Sequence, residues 1–408
     1  MTTRLPPIAR HLGSLPVAKR FGGGNPLDGV RFNLLGGSPA PESLPTEGLA
    51  AAAATVLARD DAARITLNYS DTLGNAALRQ WLAEREGVDA GRIVITNGAL
   101  HGISLLSRVL LDPGDTVLVE DPTFIVALLA WELEAAHVER LPVSATGFDI
   151  QRLKEALRTG LRPKLVYVIA DFQNPTGTVL ENDGRAELID LAEQYGFVVL
   201  WDNPYRDSRF TGVTRQDVRV DSDHVVKVNT FSKTLGPGLR LGWLVLPEWL
   251  TEPVLNVRRR TDQQPPTFAQ AVVATLVTTP HAFDDILDNM RTLHRARADA
   301  LTSGLARHAG GALRFTEPEG GFFLWTTIDD PDVDPEALQA AAYDNGLIYV
   351  AGPRFAQAGS GKFSKALRLG FTNVSPEQLT DAAEILSRSL EAARRTAARE
   401  SEEALIGV

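Results

Sequence analysis

Six short runs constrain this chain more than any other feature: RIVITNG (92–98), TVLVED (116–121), KLVYVIA (164–170), FVVLWD (197–202), HVVKVNT (224–230) and LGWLVLP (241–247). Each is β-branched and apolar nearly throughout. A strand with one face in water alternates apolar and polar residues, whereas a strand covered by helices on both faces does not. Between the runs stand stretches with helical spacing. NAALRQWLAEREG closes at Gly87, ALHGISLLSRVLLDPGD closes at a Pro-Gly turn, and TFIVALLAWELEAAH follows the second run. GRAELIDLAEQYG puts Leu188, Leu191, Ala192 and Tyr195 on one face and stops at Gly196. The Ala-rich LAAAAATVLA (49–58) also reads as a helix. This alternation predicts an α/β fold with a mostly parallel central sheet covered by helices.

The last third changes character. HAFDDILDNMRTLHRARADALTSGLARHAG (281–310) reads as one long linking helix. FFLWTTI, GLIYVAG and ALRLGFT then alternate with helical DPEALQAAAYDNG and SPEQLTDAAEILSRSLEAARR, which predicts a smaller α+β domain. The polar tail after about residue 396 reads as a frayed end. At 408 residues the chain is long enough for two domains.

In a parallel sheet, ligands sit beyond the carboxyl ends of the strands. The polar groups there are Asn97-Gly98, Asp121, Asp171 to Asn174, Asp202, and Thr230 to Lys233. The stretch NTFSKTLGPGLRLGW (229–243) surrounds one lysine, Lys233, with Thr230, Ser232 and Thr234, then bends at Gly236, Pro237 and Gly238 and returns Arg240. A lysine so placed can form a Schiff base with an aldehyde cofactor, and burial keeps its amine nucleophilic. The hydroxyls and the planar guanidinium suit a phosphate. Taken alone, Lys233 also reads as a surface lysine and Arg240 as the partner of a surface carboxylate. Asn174-Pro175-Thr176-Gly177 is a turn in the ligand position, or a generic turn. Asp202, with Tyr205 three residues on, is an acid that could hold a pyridinium proton, or a helix cap.

Composition narrows the rest. With no cysteine, disulfides, zinc fingers, iron–sulfur clusters and a cysteine nucleophile are excluded. A formal net charge of −10 argues against a nucleic-acid partner. The first 29 residues hold no apolar core of signal-peptide length, and no segment approaches eighteen continuous apolar residues. No membrane span and a cytoplasmic location are expected.

Together FNLLGGSPAPESLP, NYSDTLGNAALRQWL, VITNGALHGISLLSRVLLDPGDTVLVEDPTF, FQNPTGTVL, DNPYRDSRF, FSKTLGPGLRLGWLV, PEGGFFLW and LRLGFTNVSP resemble, in order, the fold-type I pyridoxal-phosphate (PLP) aminotransferases of class I/II. The likeness is to the branch of the 2-aminoadipate and kynurenine aminotransferases and the catalytic domains of MocR-type regulators, and it runs from about residue 33 to 390. It implies that Lys233 binds the cofactor aldehyde and shuttles the proton, that Asp202 pairs with the pyridine nitrogen, and that Asn174 and Tyr205 contact the ring hydroxyl. Gly98, Ala99 and Leu100 open a helix whose N-terminus favours a phosphate, and Thr230, Ser232 and Arg240 lie in the phosphate segment. Phe124 is implied to stack on the ring, and Tyr69 to reach the phosphate from the partner subunit of a homodimer. Arg368, with Asn174 and Gly37, is implied to hold the substrate carboxylate; alone, Arg368 reads as an exposed strand residue. Departures are Ala99-Leu100 where a polar pair is usual, Phe124 where tyrosine is common, and Asn203 where a second acid is frequent.

The resemblance implies three segments: 1–45, contributing to the small domain and covering the active site; 46–285, the large PLP-binding domain; and 286–408, the small domain. The reaction it implies moves an amino group between an amino acid and a 2-oxo acid. The same cofactor also serves lyases, replacement or cyclising enzymes and oxidases, and these stay open at this point. So does a PLP-sensing regulatory domain, which predicts a DNA-binding domain upstream. The stretch RRRTDQQPPT (258–267) has no assigned place.

Overall fold

A computed structural model describes residues 29–406 except 216, 219 and 220, with side chains to residue 394. The reading of the first 28 residues, including the signal-peptide expectation and most of the 1–45 segment, lies outside the described residues.

The strands, in chain order, are β1 (Phe32–Asn33), β2 (Ile93–Thr96), β3 (Thr116–Asp121), β4 (His137–Ser144), β5 (Gly147–Phe148), β6 (Leu165–Ile169), β7 (Val198–Asp202), β8 (Val225–Thr230), β9 (Gly242–Val245), β10 (Leu313–Phe315), β11 (Phe323–Ile328), β12 (Leu347–Ile348), β13 (Val350–Ala351) and β14 (Ala366–Gly370). Eight of them form one sheet in the order β2-β9-β8-β7-β6-β3-β4-β5. The six apolar runs are all in it. From β8 to β4 the neighbours run parallel, while β9 is antiparallel to both β2 and β8. The reversal follows from chain length. Phe231 to Leu241 is too short to cross over a sheet face, so the chain returns beside β8 antiparallel, with Phe231 N donating to Leu241 O at 3.0 Å. The strand β4, HVERLPVS, flanked on its outer side only by the two-residue β5, is half-exposed along its length. It shows no apolar run, which is why it does not stand out in the sequence.

Adjacent residues of the central strands feed opposite cores. Val117, Val119, Leu165, Tyr167 and Leu200 pack in one cluster, and Leu118, Val166, Val168, Val199 and Trp201 in another. Each fully buried aliphatic side chain contributes on the order of 1.5–3 kcal/mol, so both faces need cover. Helices such as Ala99–Leu110 and Asn182–Tyr195 provide it.

The second sheet, β10-β11-β14-β13, is antiparallel. It shares a core with the helices Ala282–His308, Pro335–Asp344 and Pro376–Ile406. Phe32 and Leu347 pair in a short parallel ladder that joins the N-terminal segment to this unit. The last helix stays helical to Ile406, past the expected frayed end at about 396. The segment TAARESEEALI is rich in good helix formers such as Ala, Glu, Arg and Leu, which favour the helical backbone. Among the described residues, no helix is long and apolar enough to cross a membrane.

Candidate active site

The site lies at the carboxyl ends of the parallel strands. β8 ends at Thr230, whose Oγ1 accepts from Ser232 N at 3.1 Å and lies 2.9 Å from Ser232 Oγ. This starts a single tight turn, Phe231–Lys233. Lys233 Nζ leaves the turn over the rings of Tyr205 (5.6 Å) and Phe322 (5.8 Å) and donates to Gly37 O at 2.6 Å. Burial pulls the ammonium down to about 8; Arg368 and Arg240 add to that, and Asp202 opposes it.

Asp202 closes β7. Its Oδ2 accepts the hydroxyl of Tyr167 at 2.7 Å, and its Oδ1 is buried with no hydrogen-bond partner among the described residues. Burial pushes the carboxyl up to about 6 against the Tyr167 bond and the Lys233 charge. Tyr205 is buried edge-on to Phe322 and Phe323 and bonds Asn174, and burial raises its phenol well above the ordinary value.

Arg368 is buried, contrary to its reading as an exposed strand residue. β14 is an interior strand between β11 and β13, and the guanidinium lies between two rings, 4.0 Å from the centre of Phe323 and 5.0 Å from Phe355. Its Nη1 donates to Asn174 Oδ1 and its Nη2 to Leu35 O, both at 2.8 Å. Lys233, Asp202, Tyr205, Asn174, Arg368 and Gly37 are thus one cluster.

A second group adjoins it. After β2 the chain turns at Gly98 (φ +84°) into the helix Ala99–Leu110. Arg240, itself at φ +52°, donates Nη2 to Asn97 O at 3.2 Å. A Cβ on Gly98 would stand 2.9 Å from Arg240 Nη2, and one on Gly242 would stand 2.6 Å from Asn229 O. Three backbones therefore meet at van der Waals distance. The unassigned 258–267 stretch lies behind this turn. Asp262 accepts from Asn97 Nδ2 at 2.8 Å and from Arg258, and Asn97 N donates to His101 Nδ1. Gln264, Pro265 and Thr267 line a hollow of about 470 Å³ with Arg240 and Asn97. Ala99 and Leu100 form the first turn of the helix, with Leu100 exposed.

Phe124 is half-buried just after β3, against the core that holds Tyr167 and Phe323. Tyr69 is 81% exposed and is not brought to the cluster within this chain. Asn203 turns away and donates to Asp171, which also pairs with Arg185.

Sequence reasoning missed Tyr167 and Glu120. Both sit inside apolar strands, where a single polar residue was the only signal. Glu120 Oε2 accepts from Gln173 Nε2 (3.1 Å) and Ile169 N (3.2 Å), and burial pushes its carboxyl up to about 8.

The mostly parallel sheet, its one reversed strand and the smaller antiparallel sheet make the fold of the type I PLP-dependent transferases. Residues 42–386 match the family model "Aminotransferase class I and II". The chain is 30% identical over 364 residues to the 2-aminoadipate transaminase of Thermus thermophilus, covering 88% of this chain and 90% of that one. It is 29% identical over 371 residues to the aromatic-amino-acid aminotransferase 1 of Thermococcus litoralis, 88% of each. Among solved structures it is similar to the α-aminoadipate aminotransferase of Thermus thermophilus complexed with N-(5'-phosphopyridoxyl)-L-leucine. That match has a TM-score of 0.82 at 30% identity and covers 90% and 93% of the two chains. The chain belongs to the class I and II aminotransferases. It is a PLP-dependent enzyme that takes amino-acid and 2-oxo-acid substrates.

The residues present suit that cofactor. A buried carboxylate oxygen lacks a donor, a buried amine has a lowered pKa, and a glycine turn opens a helix beside an arginine.

Proposed function

We propose that this chain transfers amino groups through a site built on Lys233, Asp202 and Arg368. The observation that carries the reading is that Asp202, from the end of β7, and Arg368, from the middle of β14, both act on the buried Lys233 after β8, while one buried Asp202 oxygen has no partner among the described residues. When bound, PLP supplies an electron sink at the substrate α-carbon and stores the amino group between half-reactions. Lys233, with its ammonium pulled down to about 8, is in part neutral near pH 7 and can bind the aldehyde carbon and move the α-proton. Asp202 Oδ1 would accept from the pyridine nitrogen, and Asn174 and Tyr205 would hold the ring hydroxyl. Gly98, Ala99, Leu100, Thr230, Ser232 and Arg240 hold the phosphate with backbone amides, hydroxyls and one guanidinium. Phe124 would cover the ring face. Arg368, beside Asn174 and Gly37, binds the α-carboxylate, and its bonds to Asn174 and Leu35 set the plane of the fork.

The reading carries with it a homodimer in which Tyr69 serves the partner's site, a cytoplasmic location, and the division 1–45, 46–285 and 286–408. Borohydride reduction of the holoenzyme followed by peptide mapping tests it. The cofactor should be fixed to Lys233, and a label on any other lysine overturns the assignment. Lys233→Ala should still bind PLP and lose turnover.

A further inference from the structure

Tyr167 is wholly buried in the middle of β6. In the parallel register Tyr167 lies opposite Leu200 and Ile169 opposite Asp202. The phenol therefore reaches along the sheet, and its hydroxyl donates to Asp202 Oδ2 at 2.7 Å. Its ring is wedged edge-on against Trp131, centroids 5.2 Å apart at 68°. One Asp202 oxygen is thus fixed from inside the protein, and the other, Oδ1, has no donor among the described residues.

We propose that Tyr167 is a positioning residue for the transamination: its hydroxyl aims Asp202 Oδ1 at the pyridine nitrogen and favours the charged carboxylate. This rests on the reading of Asp202 as the partner of that nitrogen. The titratable groups facing Asp202 are Tyr167 from β6, Glu120 from β3, Lys233 from the turn after β8, and Tyr205 from its own loop. Of these, Tyr167 makes the direct bond. A hydrogen bond to the charged form of an acid favours that form, and burial disfavours it. With the hydroxyl gone, burial is opposed by Lys233 alone, and a proton shared with the ring nitrogen shifts toward Asp202. Glu120, pushed by burial up to about 8, stays protonated at neutral pH and does not compete for the charge.

The test uses holoenzyme loaded with PLP carrying ¹⁵N in its ring. Wild type should show a protonated ring nitrogen. Tyr167→Phe, which keeps the ring, should move the signal toward the unprotonated position. Its kcat should fall roughly ten- to a hundredfold with KM within about threefold, as expected for a lost bond to a charged group. Trp131→Phe loosens the same ring without touching the hydroxyl and should leave the signal in place. A Tyr167→Phe signal unchanged from wild type, or an equal shift in Trp131→Phe, overturns the proposal. Asp202→Ala separates the two readings. If it leaves the nitrogen unchanged, the Asp202 assignment fails; if it shifts the nitrogen and Tyr167→Phe does not, only the Tyr167 proposal fails. Replacing tyrosine with 3-fluorotyrosine, a stronger donor, does not depend on the Phe variant folding. It should move the signal toward the protonated side, and movement the other way also overturns the proposal.

Discussion

Two buried side chains show how burial and bonding set what a group can do. Arg368 packs against Phe323 and Phe355 with its fork pinned by Asn174 and Leu35. Lysine would bring the charge without the plane or the paired donors. Arg368→Lys should therefore raise KM for every amino-acid substrate, by on the order of 2 kcal/mol or about thirtyfold, with a smaller change in the PLP dissociation constant. Steady-state kinetics beside a PLP titration checks this, and an unchanged kcat/KM would place the carboxylate elsewhere. Glu120 makes the opposite point. Its carboxyl has a reference value of 4.5 and is pushed up to about 8 in the fold. Between these values the unfolded chain loses a proton that the native state keeps. The contribution of Glu120 to stability is therefore full below about pH 4.5 and falls as pH rises toward 8. Glu120→Gln has no such loss, so it should gain on wild type across that window by a few kcal/mol at most. Denaturant unfolding of the apoprotein at pH 5, 7 and 9 measures it, and a difference that does not grow with pH would mean that Glu120 is ionised in the native state.

Among the elements, the turn from β2 into the helix Ala99–Leu110 has little room to vary. Gly98 combines φ +84° with ψ 171°, a region that glycine alone occupies readily, and Arg240 stands over its Cα. Gly98→Ala should cost about 1–3 kcal/mol and weaken PLP binding by roughly tenfold or more. Gly87 is the control: it caps its helix at φ +68° with nothing within 4 Å of an added Cβ. Gly87→Ala should lower stability by about 1 kcal/mol and leave PLP binding alone. Calorimetry and an absorbance titration separate the two. These turns were legible because glycine after an apolar run has few other uses. The strands buried on both faces were legible for a similar reason, since their apolar runs leave no choice of face. What was not legible depends on neighbours distant in sequence. The half-exposed β4 carries no apolar signature. Arg368 is buried by β11 and β13 on either side. The place of 258–267 rests on Asp262 meeting Asn97, 165 residues away. Tyr167 gains its meaning from Asp202, on the next strand.

At the scale of the molecule, one surface stands apart. Leu67 (64% exposed) and Tyr69 (81%) lie with Ile65 and Phe268 on exposed positions. Thr267 Oγ1 donates to Asn68 O, and Ser70 N donates to Gln264, so this surface adjoins the hollow at Arg240. If a second copy covers it, Leu67→Asp should shift the sedimentation profile toward monomer and weaken PLP binding together; a stable dimer would move the interface elsewhere. The ladder between β1 and β12, and the bond from Arg368 to Leu35, have a different reach. They knit the strip at residues 32–37 to strands some 300 residues later, the Arg368 bond alone spanning 333 positions. On a ribosome this strip is made some 300 residues ahead of those partners. At typical synthesis rates it waits roughly 15 to 70 s for Arg368 to be added. The β2–β9 sheet can form around Lys233 in that interval, and Gly37 can meet Lys233 within it, but the carbonyl of Leu35 meets its cation only once Arg368 has been made. Nascent chains stalled after residue 345 should therefore show a protected central sheet and a strip at 32–35 still open to protease, and the strip should become protected only once β12 and β14 have been made.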